Sequence, residues 1–579
     1  MSAVPADRPH LKHWPARLPR ELVVPETSLW FNLEVSARRY PDKPAYVFFG
    51  RTLSYRELFS QAEALAGWLE QVAGVKAGDR VALYLQNCPQ YAVAYYAVLR
   101  ANAVVVPVNP MNKADEFSHY IADPETVVVF ASADLAAHVA AADAQQPAER
   151  RLRHLVVTRY ADALPSALPA DLPVPAAMAQ WLAADPPLPH GGSAELPISR
   201  WLDVLAAGHV PGPHTAQPDD LALLPYTSGT TGAPKGCIHT HRTLMSNAVG
   251  GGPWGYGGPE SVSLGVVPLF HITGMMYSVL GAVVLGSTVV LMPRWDRELA
   301  AALIRRHRVT HWTCIPTMII DLFGSPNYRS FDLSSLRYLS GGGAAMPQAV
   351  AQRLLDEFGL PFAEGYGLTE TAAPSHGNPP ERAKLQCLGI PLYGVDSRIV
   401  DPETLRELPP GEIGEIVTHG PMVFKGYWRH AEATAAAFVK IDAPGAGDKL
   451  YFRTGDLGRM DEEGYFFLTD RLKRMINASG FKVWPAEVEL MLYKHPAVQE
   501  ACVIATRDAY RGESVKAVVV KRHDHPDASA QQIIDWSREQ MAVYKTPREV
   551  EFVEALPKSG AGKVLWRVLQ DREDAKTRA

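Results

Sequence analysis

Leu221-Ala-Leu-Leu-Pro-Tyr226 runs straight into Thr227-Ser-Gly-Thr-Thr-Gly-Ala-Pro-Lys-Gly236, after which Cys237 to Thr240 resumes as a strand candidate. The loop holds three glycines and four hydroxyls. Glycine lets a backbone turn and approach a ligand closely, successive N–H groups and hydroxyls can surround phosphate oxygens, and Lys235 adds a positive charge. This is the composition of a triphosphate cradle. It is not a Walker A loop, because Pro234 precedes Lys235 and no Ser or Thr follows it. A polar turn between two strands is the competing reading of the loop taken alone.

Around this loop, helical and strand-like segments alternate. A helix is expected over Tyr55 to Val72, strands over Arg80 to Leu85 and Ala103 to Val106, and the alternation continues to about residue 400, the pattern of an α/β fold. Gly274 to Met292 lacks charge and approaches bilayer-spanning length, but Gly286 and Ser287 divide it into an apolar helix and a buried strand, Thr288 to Met292. The Pro/Ala/Gly-rich stretch from about Leu164 to Pro218 reads as a surface excursion without chemistry. After the Asp461 to Gly464 turn comes the basic run DRLKR. A compact α+β unit follows, with a helix opened by Pro485, strands at Ala501 to Ala505, Ala517 to Val520 and Val550 to Val553, and a helix over Ile533 to Met541. The expected division is a large N-terminal α/β domain of several subdomains, 1–469, a hinge, 470–474, and a small mobile C-terminal α+β domain, 475–579.

With 579 residues, 47% hydrophobic and 21% charged, and a net charge of only -5, the chain has the make-up of a soluble enzyme with no general attraction to nucleic acid or anionic membrane. Its five scattered cysteines form no CxxC pair, which points to a reducing, cytoplasmic setting and no structural zinc. The first residues lack the apolar core of a secretory signal.

The loop at 227–236 resembles the signature of the adenylate-forming superfamily, which comprises acyl-CoA synthetases, peptide-synthetase adenylation domains and luciferases. Further motifs follow in that superfamily's order. They are Pro268-Leu-Phe-His-Ile-Thr-Gly274, Gly341-Gly-Gly-Ala-Ala-Met-Pro347, Glu364-Gly-Tyr-Gly-Leu-Thr-Glu370, Tyr451-Phe-Arg-Thr-Gly-Asp456, Asp470-Arg-Leu-Lys473, Gly480-Phe-Lys-Val-Trp-Pro485 and Pro557-Lys-Ser-Gly-Ala-Gly-Lys563. The resemblance covers about residues 28 to 567. Within the superfamily, His13-Trp-Pro and Phe48-Phe-Gly50 resemble bacterial medium- and long-chain fatty-acid–CoA ligases.

That resemblance implies a reaction with ATP, Mg2+ and CoA, in which a carboxylic acid becomes an acyl-AMP and then a thioester. Two anions must meet in the first step, so electrostatic stabilisation and positioning carry it. The implied catalytic residues are Lys563, Thr369, Glu370 and His271. Thr227, Ser228, Gly229, Thr230, Thr231, Gly232 and Lys235 would hold phosphates, and Glu370 with Thr227 the metal, which favours oxygen ligands. Gly342, Gly343, Ala344, Glu364, Gly365, Tyr366 and Gly367 would form the adenine pocket, with Asp456 and Arg471 on the ribose. Lys473 is the implied hinge, and Ser479, Gly480, Phe481 and Lys482 the CoA-side loop. Asn477 stands where some relatives carry Lys.

His271, Thr273, Gly274 and Met275 are the implied acyl pocket, with Met275 where some long-chain members carry a gating Trp. A fatty acid is the expected substrate. An aryl or other acid, a carrier-protein acceptor, and a non-catalytic acyl-nucleotide sensor are the alternatives, the carrier reading weakened because the chain ends soon after Lys563. The expected partners are small molecules, without nucleic acid or a transmembrane segment. Peripheral membrane contact and a homodimer are compatible with the resemblance.

Overall fold

The computed structural model describes every residue except 1–7, 190–195, 228–233, 472, 473, 475, 479, 480, 509–511, 561 and 577–579. Val-rich strands too apolar to face water on either side assemble into two large, mostly parallel sheets. One has nine strands in the order Ile390–Pro391, Ala373–Gly377, Phe362–Leu368, Tyr338–Gly341, His311–Cys314, Val262–Gly265, Thr288–Leu291, Pro44–Phe48 and Arg51–Ser54. The other has seven, in the order Ile198–Arg200, His154–Thr158, Thr126–Ser132, Arg80–Tyr84, Val104–Pro107, Leu221–Leu223 and His239–Thr240. Helices Tyr55–Gln71 and Pro89–Arg100 pack together, and a single core cluster joins them to strands of both sheets. A five-stranded, largely antiparallel sheet built around Tyr451–Met460 follows.

The last sheet draws all its strands from residues 476–552, and helix Trp566–Lys576 packs on its strand Val498–Asp508. Buried Lys516 ties that helix down, its Nζ lying 2.9 Å from Glu573 and 2.8 Å from Glu551. Removing Lys516 would deprive buried Glu573 of its buried cation, so the cluster helps fix where the helix sits.

The apolar stretch at 274–292 folds as helix followed by buried strand, the turn between them made by Gly286 with φ 65°. Within the helix, Met276–Leu280 is a π-helical turn, which sequence periodicity does not reveal. No helix of the described residues is long and apolar enough to cross a membrane. The 164–218 stretch departs from expectation. Its strand Ile198–Arg200 extends the seven-stranded sheet, and Leu172, Met178, Leu182, Trp201 and Val204 are buried in the main core. Single apolar residues spaced between prolines are enough to anchor an irregular segment, and a compositional reading overlooks them.

Candidate active site

A cavity of about 940 Å3 lies where the two large sheets, the third sheet and the C-terminal part converge. Its lining takes in Thr227, Lys235, His271, Thr273, Gly342, Gly343, Glu364, Gly365, Tyr366, Gly367, Thr369, Glu370 and Lys563. Residues far apart in the chain thus meet at the strand ends, where an open α/β sheet ordinarily binds its ligand.

Both ends of the 227–236 loop are held. Thr227 N–H donates to Lys235 O at 3.0 Å, Trp428 N–H to Gly236 O at 2.8 Å, and a ring nitrogen of His119 meets Pro234 O at 2.9 Å. Lys235 Nζ stands 5.3 Å from the centre of the Tyr427 ring, and the Tyr427 hydroxyl donates to Glu370 Oε1 at 2.9 Å. Lys235 and Glu370 therefore flank one tyrosine, a cation and a carboxylate on the same wall.

The strand carrying Glu364 to Leu368 needs Gly367, since a Cβ there would fall 1.7 Å from Ala373 O. Beyond Glu370 the backbone enters the left-handed region at Ala372 (φ 50°) and Ala373 (φ 75°), which costs a non-glycine residue about 1–2 kcal/mol. Asn247 holds this turn, its side-chain amide donating to Thr371 O, Ala372 O and Pro374 O at 2.9–3.1 Å. Buried His239 bonds Thr369 O at 2.8 Å. Tyr366 O–H donates to buried Asp456 Oδ2 at 2.6 Å, joining two of the sequence-derived nucleotide residues directly. Burial pushes the Glu364 carboxyl up to about 7, against the pull of N–H donors at Met346 and Cys387.

His271 caps the short helix Ile272–Met275 by accepting from Thr273 N–H at Nδ1 (3.3 Å), which leaves the ring proton on Nε2. Burial, with the Lys563 ammonium nearby, lowers this imidazole to about 3, so it stays neutral. The loop leading to it is pinned by buried Asn87, whose amide donates to Gly265 O, Val267 O and Met292 O and accepts from Leu269 N–H. Asn87 and Asn247 both position the site, and a lone Asn in a sequence gives no sign of doing so.

Lys563 arrives from the C-terminal part. Its Cε would lie 2.9 Å from a Cβ placed on Gly343, whose φ of 86° also favours glycine, so Gly343 makes room for the lysine stem. Ser559 N–H donates to Lys563 O at 2.7 Å and Lys563 N–H to Ser559 Oγ at 3.2 Å, closing the loop that presents it.

Several expected residues lie elsewhere. Gly274 and Met275 are outside the cavity lining: Met275 is fully buried in the main core and Gly274 packs against the carbonyls of Val267 and Pro268. Ala344 is exposed beside the cavity. Arg471 pairs with Asp456 in strand register, and Phe481 and Lys482 lie on the strand Phe481–Val483; the placement of these three side chains is outside the described residues, as are Ser228, Gly229, Thr230, Thr231, Gly232, Lys473, Ser479 and Gly480. The lining also contains Gly251, Trp254, Tyr277, Tyr338 and His376, which lie outside the quoted motifs, and Phe270, which lies within the 268–274 motif but was assigned no role.

The fold and cavity define a large α/β nucleotide-type site completed by a lysine from a smaller C-terminal unit. The family description AMP-binding enzyme matches residues 33–428, and AMP-binding enzyme C-terminal domain matches 487–563. The chain belongs to the AMP-binding enzyme family. It is 35% identical over 574 residues to a long-chain-fatty-acid–CoA ligase of Bacillus subtilis, covering 98% of each chain. It is 36% identical over 532 residues to a feruloyl-CoA synthase of an Amycolatopsis species, covering 91% of this chain and 96% of that one. Among solved structures, ATP-bound MatB from Rhodopseudomonas palustris matches with a TM-score of 0.79 and 28% identity, over 95% of this chain and 100% of that one.

Proposed function

We propose that the protein is an ATP-dependent fatty-acid–CoA ligase working in two steps at this cavity. In the first, a carboxylate oxygen attacks the α-phosphorus of ATP, the bond to the β-phosphate oxygen breaks, and pyrophosphate leaves. In the second, the sulfur of CoA attacks the acyl carbon, the acyl–AMP bond breaks, and the thiol proton passes to solvent. The observation that carries this reading is Lys563 beside Gly343, in one cavity with Lys235, Thr369 and Glu370.

Lys563 offsets negative charge gathering between carboxylate and α-phosphate, and Lys235 meets the outer phosphates. Tyr366 and Asp456 bind the nucleoside, and neutral His271 with Thr273 borders the acid. Glu370 and Thr227 offer a carboxylate and a hydroxyl on the cavity wall, donors that suit a hard cation; Mg2+ held there would neutralise phosphate charge. Between the steps the 475–579 part turns relative to 1–469 about Lys473 in the 470–474 hinge, which brings the 479–482 loop to the thiol. Five buried free cysteines suit a reducing cytoplasm.

The name of the Bacillus relative favours a fatty acid. An aromatic acid is the second reading, favoured by Phe270, Tyr277, Tyr338 and Trp254 in the lining and by the name of the Amycolatopsis relative. Pyrophosphate release, measured across straight-chain and aromatic acids, decides between them: the reading expects the higher kcat/KM for straight chains, and faster aromatic turnover would reverse it.

A further inference from the structure

Trp254 ends the helix His241–Trp254 and lines the cavity. It stands away from the reacting end. Gly255, next to it, abuts Tyr338 at the start of the four-residue strand Tyr338–Gly341, whereas Lys563 meets Gly343 beyond that strand's other end, a separation of about 10 Å or more. Gly377, whose missing Cβ faces the Trp254 ring, likewise ends the strand Ala373–Gly377 that begins beside the Glu370 turn.

What fixes Trp254 comes largely from the N-terminal segment that holds His13-Trp-Pro, to which no site residue was assigned. A helix C-terminus leaves carbonyls without intrahelical partners. Arg17 fills this need, donating to Pro253 O and, at 2.6 Å, to Trp254 O, while its guanidinium lies 4.0 Å over the Tyr256 ring and pairs with Glu381. Trp14 packs edge-on against the Trp254 ring, with 5.2 Å between centroids and 72° between planes, and against Tyr393 at 5.1 Å and 76°. Leu18 and Leu22 complete this cluster. The Trp254 indole N–H, donating to Asn378 O at 3.1 Å, sets the ring's third constraint.

We propose that residues 13–22 form a strap that sets the depth of the acid-binding cavity by holding Trp254, which makes Trp14 and Arg17 positioning residues for acid chain length. The proposal rests on reading this cavity as the acid's site. Without the Trp14 ring the Trp254 ring can move back into the vacated space. Without Arg17 the helix end is free to shift. Either change deepens the cavity at the end remote from Lys563 and leaves the nucleotide contacts untouched.

The test is steady-state kinetics over straight-chain acids of increasing length for wild type, Trp14→Ala, Trp14→Phe and Arg17→Gln. One methylene in an apolar pocket changes specificity about tenfold or more, so the ratio of kcat/KM for the longest to the shortest acid should rise about tenfold in Trp14→Ala and Arg17→Gln. The change should sit in KM for the acid, with KM for ATP unchanged, and Trp14→Phe should restore most of the wild-type profile. A loss equal for all acids overturns the proposal, as does an unaltered profile in Arg17→Gln. Arg17 lies at the surface, so its variant decides the matter if Trp14→Ala does not fold. Wild-type enzyme that releases no pyrophosphate with any acid overturns the functional reading and the strap with it, and that result is visible before any variant is compared.

Discussion

In the proposed reaction Lys563 acts on charge that develops only while the α-phosphorus is attacked, so its removal should separate the two half-reactions. Lys563→Ala is expected to slow acyl-AMP formation by about 10²-fold or more, the usual cost of deleting one stabilising group at a developing charge. Thioester formation from supplied acyl-AMP and CoA should remain near wild type in the same variant; equal losses in both would remove the lysine from its role. Glu364 supports a second prediction. Its folded carboxyl is raised to about 7 from an ordinary 4.5, so its contribution to stability is complete below the unfolded value and is lost as pH rises through the folded one. The difference corresponds to about 3 kcal/mol. Urea unfolding between about pH 5 and pH 8 should show wild type losing stability relative to Glu364→Gln. Parallel curves for the two proteins would mean that Glu364 does not titrate in this range.

The helix His241–Trp254 gives the cavity one of its walls at Gly251 and Trp254. Gly251 lines the cavity, and a Cβ there would meet Tyr277 at an ordinary 3.8 Å, so a side chain fits at its root and projects into the space beyond. Gly251→Leu should therefore lower kcat/KM for the longest acids about tenfold or more while sparing the shortest. Helix propensity favours leucine over glycine, so a thermal melt should show a folded protein. A folded variant with an unaltered chain-length profile would place the acid elsewhere. At this scale the sequence is uneven evidence. Motif residues such as Lys563, Glu370 and Tyr366 were legible as candidates through the resemblance of their motifs, and all three line the cavity. The wall was not: Gly251, Trp254 and Tyr338 are ordinary core types, and the π-helical turn beside Tyr277 has no signature in composition. Met275 shows the converse, a residue picked out by its place after a motif that packs into the core behind the wall.

Over the whole molecule, the alternation of helices and strands with the order of motifs was sufficient to anticipate a large α/β part of several subdomains and a small C-terminal α+β unit, though not its division into two large sheets. Long-range contacts were beyond it. Nothing in Trp14 announces Trp254, about 240 residues on, and nothing in the proline-rich 164–218 stretch announces that Ile198–Arg200 extends a sheet. The arrival of Lys563 beside Gly343 depends on this same class of contact, with close approaches of Gly560 to Asn109 and of Gly562 to Ile315. These contacts join the C-terminal unit to the large sheets with Lys563 in the cavity lining. The most direct test of the account is a single-turnover measurement with ATP and a straight-chain acid, with CoA withheld and then added. The account predicts acid-dependent pyrophosphate and acyl-AMP before CoA, then AMP and acyl-CoA in equal amounts after it. Formation of ADP and phosphate, or no pyrophosphate with any acid, would contradict it.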